Sequence, residues 1–134
     1  KKTYKGFGVL GTMEIPTIKL KYPVLEKVTK KSIETAIAFL YGSGLNEAGN
    51  SVIIGHNYRN GKMFGRLHEL ANGDRIELED LTGRKVTYQV YNKYVVKPTD
   101  TRCTSQKTNG KKELTLITCT NYGKERLIVK CRQI

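Results

Sequence analysis

The stretch of this sequence whose residues are best suited to catalysis joins a cysteine to an arginine across a predicted hairpin. An apolar, β-branched run ends at Cys119, a polar connection with Asn121 and Gly123 follows, and a second apolar run begins at Arg126. This order predicts a β-hairpin with a loop longer than the two-residue kind. Cys119 and Arg126 should therefore face each other across the mouth of the hairpin. A guanidinium beside a thiol can lower the pKa of the thiol and stabilise a developing oxyanion.

Two histidines are candidates for a proton carrier that would work with Cys119. His56 stands at the exit of a short apolar run, whereas His68 lies between Leu67 and Glu69 in a segment with helical spacing. We therefore interpret His68 as a surface or structural residue and favour His56. A cysteine with a histidine elsewhere in the chain is the general pattern of a cysteine nucleophile. The alternative is a buried strand cysteine near a solvated arginine, because free cysteine is often buried.

The elements that must bring these residues together are mostly strands. Apolar and polar residues alternate in residues 8–15 and 18–22, and again in two segments between Asp74 and Val96. A short buried strand over residues 51–56 carries His56 at its end, and residues 29–38 have helical spacing with Thr29 or Ser32 as cap. Seven or eight strands with little helix predict a barrel or a sandwich. One end of a barrel could then collect His56 and Cys119.

Length and charge limit the alternatives. The 134 residues fit one domain, over residues 1–134, and contain no repeat, signal peptide or apolar run long enough to span a membrane. The net charge of +12 suggests an anionic partner or neighbourhood. However, the lysines are scattered and no RNA-binding or zinc-finger pattern is present, so we do not expect nucleic acid as a partner.

The three cysteines are too widely spaced to predict a metal site. Cys103, Cys119 and Cys131 have no histidine near them in sequence, and we expect neither a metal nor a cofactor. In an oxidising compartment Cys103 and Cys131 could form a disulfide while Cys119 stays free. Alternatively, Cys131 packs as a small apolar residue.

Three motifs, in order along the chain, resemble the sortases, which are cysteine transpeptidases of Gram-positive cell surfaces. Residues 115–119 (TLITC) look like the TLxTC signature of the family, and Arg126 falls on the next strand as the family's arginine does. Residues 49–57 resemble the segment in which a glycine-asparagine pair leads into the catalytic histidine. Phe64, Leu67 and Leu70, followed by a glycine-aspartate strand start, are similar to a further sortase pattern.

The resemblance implies a mainly β fold, a closed eight-stranded sortase-type β-barrel with one or two short helices. It also implies that Cys119 cleaves an LPxTG-like sorting signal between Thr and Gly through a thioacyl intermediate. An amine of a peptidoglycan precursor or a pilin lysine would resolve that intermediate. His56 would be the general acid and base, and Arg126 would hold the substrate and the oxyanion. Thr118, through its backbone or its hydroxyl, and Asn57 would contribute to substrate binding or the oxyanion site.

The resemblance further implies a location at the extracytoplasmic face of the membrane, with an N-terminal membrane anchor expected outside the given sequence. The connection between Cys119 and Arg126 is short for the family, and the acids of calcium-binding sortase loops are missing around Glu47 and Asp100. The sequence does not choose among the sortase classes. Two alternatives stay open: a thiol hydrolase or peptidase of the same fold, and a non-enzymatic basic β-barrel that binds wall polymers or nucleic acid.

Overall fold

Strands are the main regular structure of the protein and contain almost half of its residues. The computed structural model describes residues 2–134, and Lys1, where the predicted domain begins, lies outside the described residues. The one α-helix within them, α1, spans Lys30–Thr35, and short 3-10 helices span Pro16–Ile18, Leu67–Glu69 and Arg102–Thr104. The strands are β1 Thr3–Tyr4, β2 Phe7–Ile15, β3 Leu20–Leu25, β4 Ile37–Tyr41, β5 Gly49–Ile54, β6 Arg75–Asp80, β7 Lys85–Val96, β8 Lys112–Thr120 and β9 Glu125–Gln133.

Eight of these strands close into a barrel. Their order is β2-β3-β4-β5-β8-β9-β7-β6, and β6 pairs back onto β2, for example at Met13 and Leu78. Two of the pairings, β3 with β4 and β5 with β8, are parallel, and the others are antiparallel. The predicted closed eight-stranded β-barrel is therefore confirmed. The ninth strand, β1, adds a two-residue pairing to β2 outside the closed ring.

The barrel interior is a continuous apolar core that also contains one hydrogen-bonded pair of polar side chains. Met13, Phe64 and Leu114 have no solvent-accessible surface. The hydroxyl of Tyr88 donates to Oδ1 of Asn46, and Nδ2 of Asn46 donates to the carbonyl of Leu78, at 3.0 and 2.8 Å. Burying these polar groups is tolerated because each one has a partner.

The predicted helix over residues 29–38 is shorter in the structure. Thr29 and Ser32 form a reciprocal capping box, so both predicted caps are used, but the helix ends at Thr35. Ala36 is extended, and Ile37 pairs in parallel with Val24 of β3. Strand pairing within the barrel outweighs the helical spacing of residues 36–38, because local propensity is weak against tertiary packing.

The second predicted strand also begins later than expected. Residues 16–18 form a 3-10 turn that ends at Lys19, whose φ of 52° reverses the chain. Strand β3 then runs from Leu20 through Pro23 to Leu25. No helix within residues 2–134 is both long enough and apolar enough to cross a membrane.

Candidate active site

The hairpin predicted at the end of the chain brings Cys119 opposite Arg126. Strands β8 and β9 pair with Cys119 and Arg126 as direct Cα partners, as the sequence predicted. Residues directly opposite each other in an antiparallel pair project from the same face of the sheet. The loop between the strands contains Asn121, Tyr122 and Gly123, all with positive φ. Cys119 and Arg126 are both half-buried.

His56 reaches the same place by a different route, the parallel pairing of β5 with β8. Ile54 is the register partner of Ile117, and the amide of Gly55 donates to the carbonyl of Ile117 at 3.1 Å. Continuing this register by two residues places His56 level with Cys119. Both project outward, because Ile54 and Ile117 belong to a cluster on the outer side of the barrel. The structure thus brings the three predicted catalytic residues to the ends of neighbouring strands.

Two side-chain hydrogen bonds fasten these strand ends on either side of His56. The buried hydroxyl of Thr118 donates to the carbonyl of Gly55 at 2.7 Å. The exposed Nδ2 of Asn57 donates to the carbonyl of Cys119 at 2.8 Å. The residues just before and just after His56 are therefore tied to Thr118 and Cys119.

These bonds change the expected role of the Thr118 hydroxyl. The hydroxyl was predicted as one of two ways in which Thr118 could contribute to an oxyanion site, the other being its backbone. In the structure its proton is already donated to Gly55, and the register partner of Thr118 is Leu127, which lies in the barrel core. The hydroxyl thus points inward, away from the outer face that carries Cys119.

The segment after His56 is held by backbone contacts and one tyrosine. The amide of Phe64 donates to the carbonyl of His56 at 2.8 Å, and the amide of Met63 donates to the hydroxyl of Tyr22 at 2.9 Å. The ring of Tyr58 lies 5.4 Å from the ring of His56, centroid to centroid. A Cβ atom at Gly55 would meet the ring of Phe64 at 2.8 Å, so a glycine is required before the histidine.

Arg126 contacts the hairpin loop rather than the thiol. Its Nη1 donates to the carbonyls of Gly123 and Glu125 at 3.0 and 3.1 Å. Its other guanidinium nitrogens donate to no acceptor within residues 2–134. The guanidinium therefore keeps free donors on the face that it shares with Cys119, and these could bind a carbonyl or an oxyanion.

A second, smaller apolar cluster packs on the outside of the barrel next to this site, and most of its members are buried. We call it the outer cluster, and its members are Val52, Cys103, Ile117 and Ile128 with the partly buried Ile54, Tyr94 and Val96. An open cavity of about 350 Å³ beside it is lined by Tyr94, Val96, Asp100, Arg102 and Cys103. At its rim the guanidinium of Arg102 contacts the carboxylate of Asp100 at 2.6 Å and lowers the pKa of Asp100 to about 2. Val96 is the register partner of Arg126, so the cavity adjoins the site.

A buried polar network that sequence reasoning missed holds the connection between β7 and β8. Nζ of Lys130 donates to Oγ1 of Thr115 at 2.7 Å and to the carbonyl of Cys103 at 3.0 Å. Asn50 accepts from the Thr115 hydroxyl and donates to Cys103, while the Gln106 amide donates back to the carbonyl of Asn50. Burial lowers the pKa of Lys130. The one sequence feature that could have indicated this network is Lys130, a charged residue that interrupts the apolar run of β9.

The other two cysteines are separate free thiols. Cys103 lies in the outer cluster, whereas Cys131 lies in the barrel core. The predicted possibility of a disulfide between them is therefore not realised in this structure, and Cys131 packs as a small apolar residue. Burial raises the pKa of both thiols. Across residues 2–134, no three His, Cys, Asp or Glu side chains lie close enough together to hold a metal ion.

His68 takes no part in this arrangement. It is exposed on the 3-10 helix Leu67–Glu69, and its carbonyl accepts a hydrogen bond from Nζ of Lys93 at 2.8 Å. The interpretation of His68 as a surface residue is confirmed.

Comparisons with known proteins agree on one family. The family model described as "Sortase domain" matches residues 13–134. Sortase A of Bacillus anthracis is 32% identical over 112 residues, which cover 83% of this chain and 52% of the relative, so the chain spans about half the length of that curated relative.

Solved structures give the same result. Sortase A from Corynebacterium diphtheriae superposes with a TM-score of 0.86 at 30% identity, covering 96% of this chain and 61% of that one. A Clostridium perfringens sortase C, solved with the C-terminal cell wall sorting motif, has a TM-score of 0.83 at 30% identity, covering 94% of this chain and 70% of that one.

Proposed function

This chain belongs to the sortase family, and on that premise we propose that it is a cysteine transpeptidase that cleaves an LPxTG-like sorting signal between Thr and Gly. The observation that carries the proposal is the convergence of Cys119, His56 and Arg126 on one outer face at neighbouring strand ends. The proposed catalytic domain covers residues 1–134.

In the first step, the Cys119 thiolate, paired with protonated His56, attacks the threonyl carbonyl carbon of the sorting signal. A carbon-sulfur bond forms and the Thr-Gly carbon-nitrogen bond breaks, which leaves a thioacyl enzyme. His56, in its protonated form, donates a proton to the leaving glycine amine. The intermediate divides one difficult exchange into two easier ones.

In the second step, an acceptor amine attacks the thioester carbon and His56 accepts the proton that the amine loses. A new amide bond forms and the thiolate of Cys119 is released. We propose a peptidoglycan precursor or a pilin lysine as the source of the amine. Water in place of the amine would give hydrolysis, which is the alternative activity of the same site.

Arg126 would bind the substrate carbonyl and the oxyanion through the guanidinium donors that its loop contacts leave free. A fixed cation on the face of the nucleophile stabilises the negative charge that develops during attack. Asn57 and Thr118 would position His56 and Cys119 through their bonds to Cys119 and Gly55. In this proposal Thr118 contributes to the oxyanion site only through its backbone.

The apolar part of the sorting signal would lie against the partly exposed members of the outer cluster, which are Ile54, Tyr94 and Val96. The adjoining cavity reaches Val96, the register partner of Arg126. The similarity to a sortase solved with a sorting motif supports a peptide of this class as substrate. The family membership also supports a location at the cell surface, on the extracytoplasmic face of the membrane.

The test is intact mass spectrometry of the protein after incubation with LPxTG-type peptides, with and without an added amine. We expect a thioacyl adduct on the parent protein and transfer of the acyl group to the amine. Cys119→Ala should give neither, whereas Cys103→Ala, which removes a buried thiol, should retain both. Cleavage without transfer to any amine would favour the hydrolase. No adduct with any peptide, together with a Cys119 that resists alkylation, would reject the enzyme.

A further inference from the structure

A concave basic site lies at the far end of the barrel from Cys119. It is an open cavity of about 650 Å³ between the turn that precedes β8 and the end of β9. Four of its lining residues are cations, Lys107, Lys111, Lys112 and Arg132, and one is an acid, Glu113. The three lysines come from one segment, residues 107–112, and the pairing of β9 with β8 adds Arg132 beside them.

The positive charge in this cavity is offset only in part by the protein, through Glu113, which is the register partner of Arg132. None of the four cations forms an ion pair with a residue of the described chain. The carboxylate of Glu113 instead accepts a hydrogen bond from the hydroxyl of Tyr91 at 3.3 Å. The cavity therefore has a surplus of cations that an anion would compensate.

Part of this site is already ordered for binding. The guanidinium of Arg132 lies 3.7 Å from the centre of the Tyr91 ring, which holds it at the cavity wall. Asn109 and Gly110 have positive φ, and their amides donate to no acceptor in residues 2–134. Phosphate is the anion that such a mixture of guanidinium, ammonium and amide donors recognises well.

We propose that this cavity binds a soluble phosphate-bearing polymer, as a site separate from the catalytic one. Four cations around one cavity of about 650 Å³ suit several neighbouring phosphate groups better than a single one. A planar membrane surface would touch the rim of the cavity and not its lining, so the concave shape favours a polymer chain. Cys119 is about 20 Å from Glu113 along β8, so both sites could be occupied together.

The test measures binding of short-chain inorganic polyphosphate by calorimetry at several salt concentrations. Lys107→Gln with Lys111→Gln removes two cavity cations without touching their backbone hydrogen bonds. We expect this variant to bind about tenfold more weakly. The slope of the logarithm of its binding constant against the logarithm of the salt concentration should be shallower by roughly 0.7 per lost contact. The matched control, Lys30→Gln with Lys31→Gln, removes the same charge from the exposed surface of α1 and should bind like the parent.

Two further measurements distinguish this cavity from the catalytic site and from a membrane-binding surface. Cys119→Ala should bind polyphosphate like the parent, so loss of the proposed enzymatic function would not affect the result. Vesicles containing phosphatidylglycerol should bind more weakly than polyphosphate. Equal weakening by both double variants, or binding to vesicles without binding to polyphosphate, would overturn the proposal.

Discussion

At the scale of single residues, burial separates the three cysteines. Cys119 is half-buried on the outer face, whereas Cys103 and Cys131 are buried and their pKa values are raised. Thiolates are the reactive form of cysteine, so the two buried thiols should react slowly.

We therefore expect one thiol to react rapidly in the native protein and three to react in urea. A colorimetric thiol titration with and without urea measures this. Cys119→Ala should show no rapid thiol, while Cys103→Ala should still show one. Two or more rapid thiols in the native protein would contradict the described burial.

A second prediction for a single residue concerns the hydrogen bond that Thr118 donates to Gly55. Thr118→Val keeps the shape of the side chain but removes the donor to Gly55, which leaves a carbonyl beside His56 without that hydrogen bond. We expect the free energy of unfolding to fall by about 1–3 kcal/mol. Urea denaturation followed by circular dichroism measures the change.

Thr118→Ser is the matched control, because it retains the hydroxyl and loses only a methyl group. It should destabilise the protein less than Thr118→Val. If valine were tolerated as well as serine, the hydroxyl bond to Gly55 would not be what stabilises this strand end.

At the scale of elements, the connection between β7 and β8 is held by a half-buried cation. Lys130 donates to the backbone of Cys103 and to Thr115, and burial lowers its pKa below the ordinary value of 10.5. Between the folded pKa and 10.5 the unfolded chain binds more protons than the folded one. The free energy of unfolding should therefore rise with pH across that window.

Lys130→Met should remove this part of the pH dependence. A difference of one bound proton between the folded and unfolded states changes the free energy of unfolding by at most about 1.4 kcal/mol per pH unit. The measurement is urea denaturation of the parent and the variant at several alkaline pH values. The same change at exposed Lys31 controls for the loss of one charge, and parallel curves for the parent and Lys130→Met would contradict the expected effect.

The hairpin was predictable from its residues, whereas the strand pattern alone left a barrel or a sandwich open, and only the family resemblance implied the closed barrel. The hairpin depends on local alternation and turn residues, and Cys119 and Arg126 are partners as expected. Strand β4 was missed at residues 37 and 38 because its pairing partner, β3, is separated from it by a helix.

Only part of the candidate site could be predicted from the sequence. Sequence motifs indicated Cys119, His56 and Arg126, but not the contacts that position them. The bonds of Thr118 and Asn57 join residues more than 60 positions apart, so no local pattern encodes them. The role of Lys130 was missed because its buried partners, Cys103 and Thr115, come from two other parts of the chain.

At the scale of the whole molecule, closure of the barrel depends on a close approach of β2 to β6. A Cβ atom at Gly11 would collide with the backbone carbonyl of Glu79. A backbone carbonyl in a paired strand cannot move aside cheaply. Gly11→Ala should therefore destabilise the protein by several kcal/mol, on the order of 3.

Thermal and urea unfolding measure this prediction, and Gly8→Ala in the same strand is the matched control. A Cβ atom at Gly8 would meet the carboxylate of Glu26, which is the end of a flexible side chain. Gly8→Ala should thus cost much less. If the two substitutions destabilised the protein equally, the close approach of β2 to β6 would not be the reason why position 11 requires a glycine.

The position of the β8–β9 hairpin between β5 and β7 has a consequence for folding. Until the hairpin inserts, both neighbouring strands have open edges, which invite pairing with other chains. Its contacts with β5 join distant parts of the sequence, and such contacts form slowly. Insertion of the hairpin is also the event that brings Cys119 beside His56. We therefore expect a partly folded chain to be most prone to aggregation before Cys119 and His56 come together, and a chaperone that covers those edges should raise the yield of folded protein.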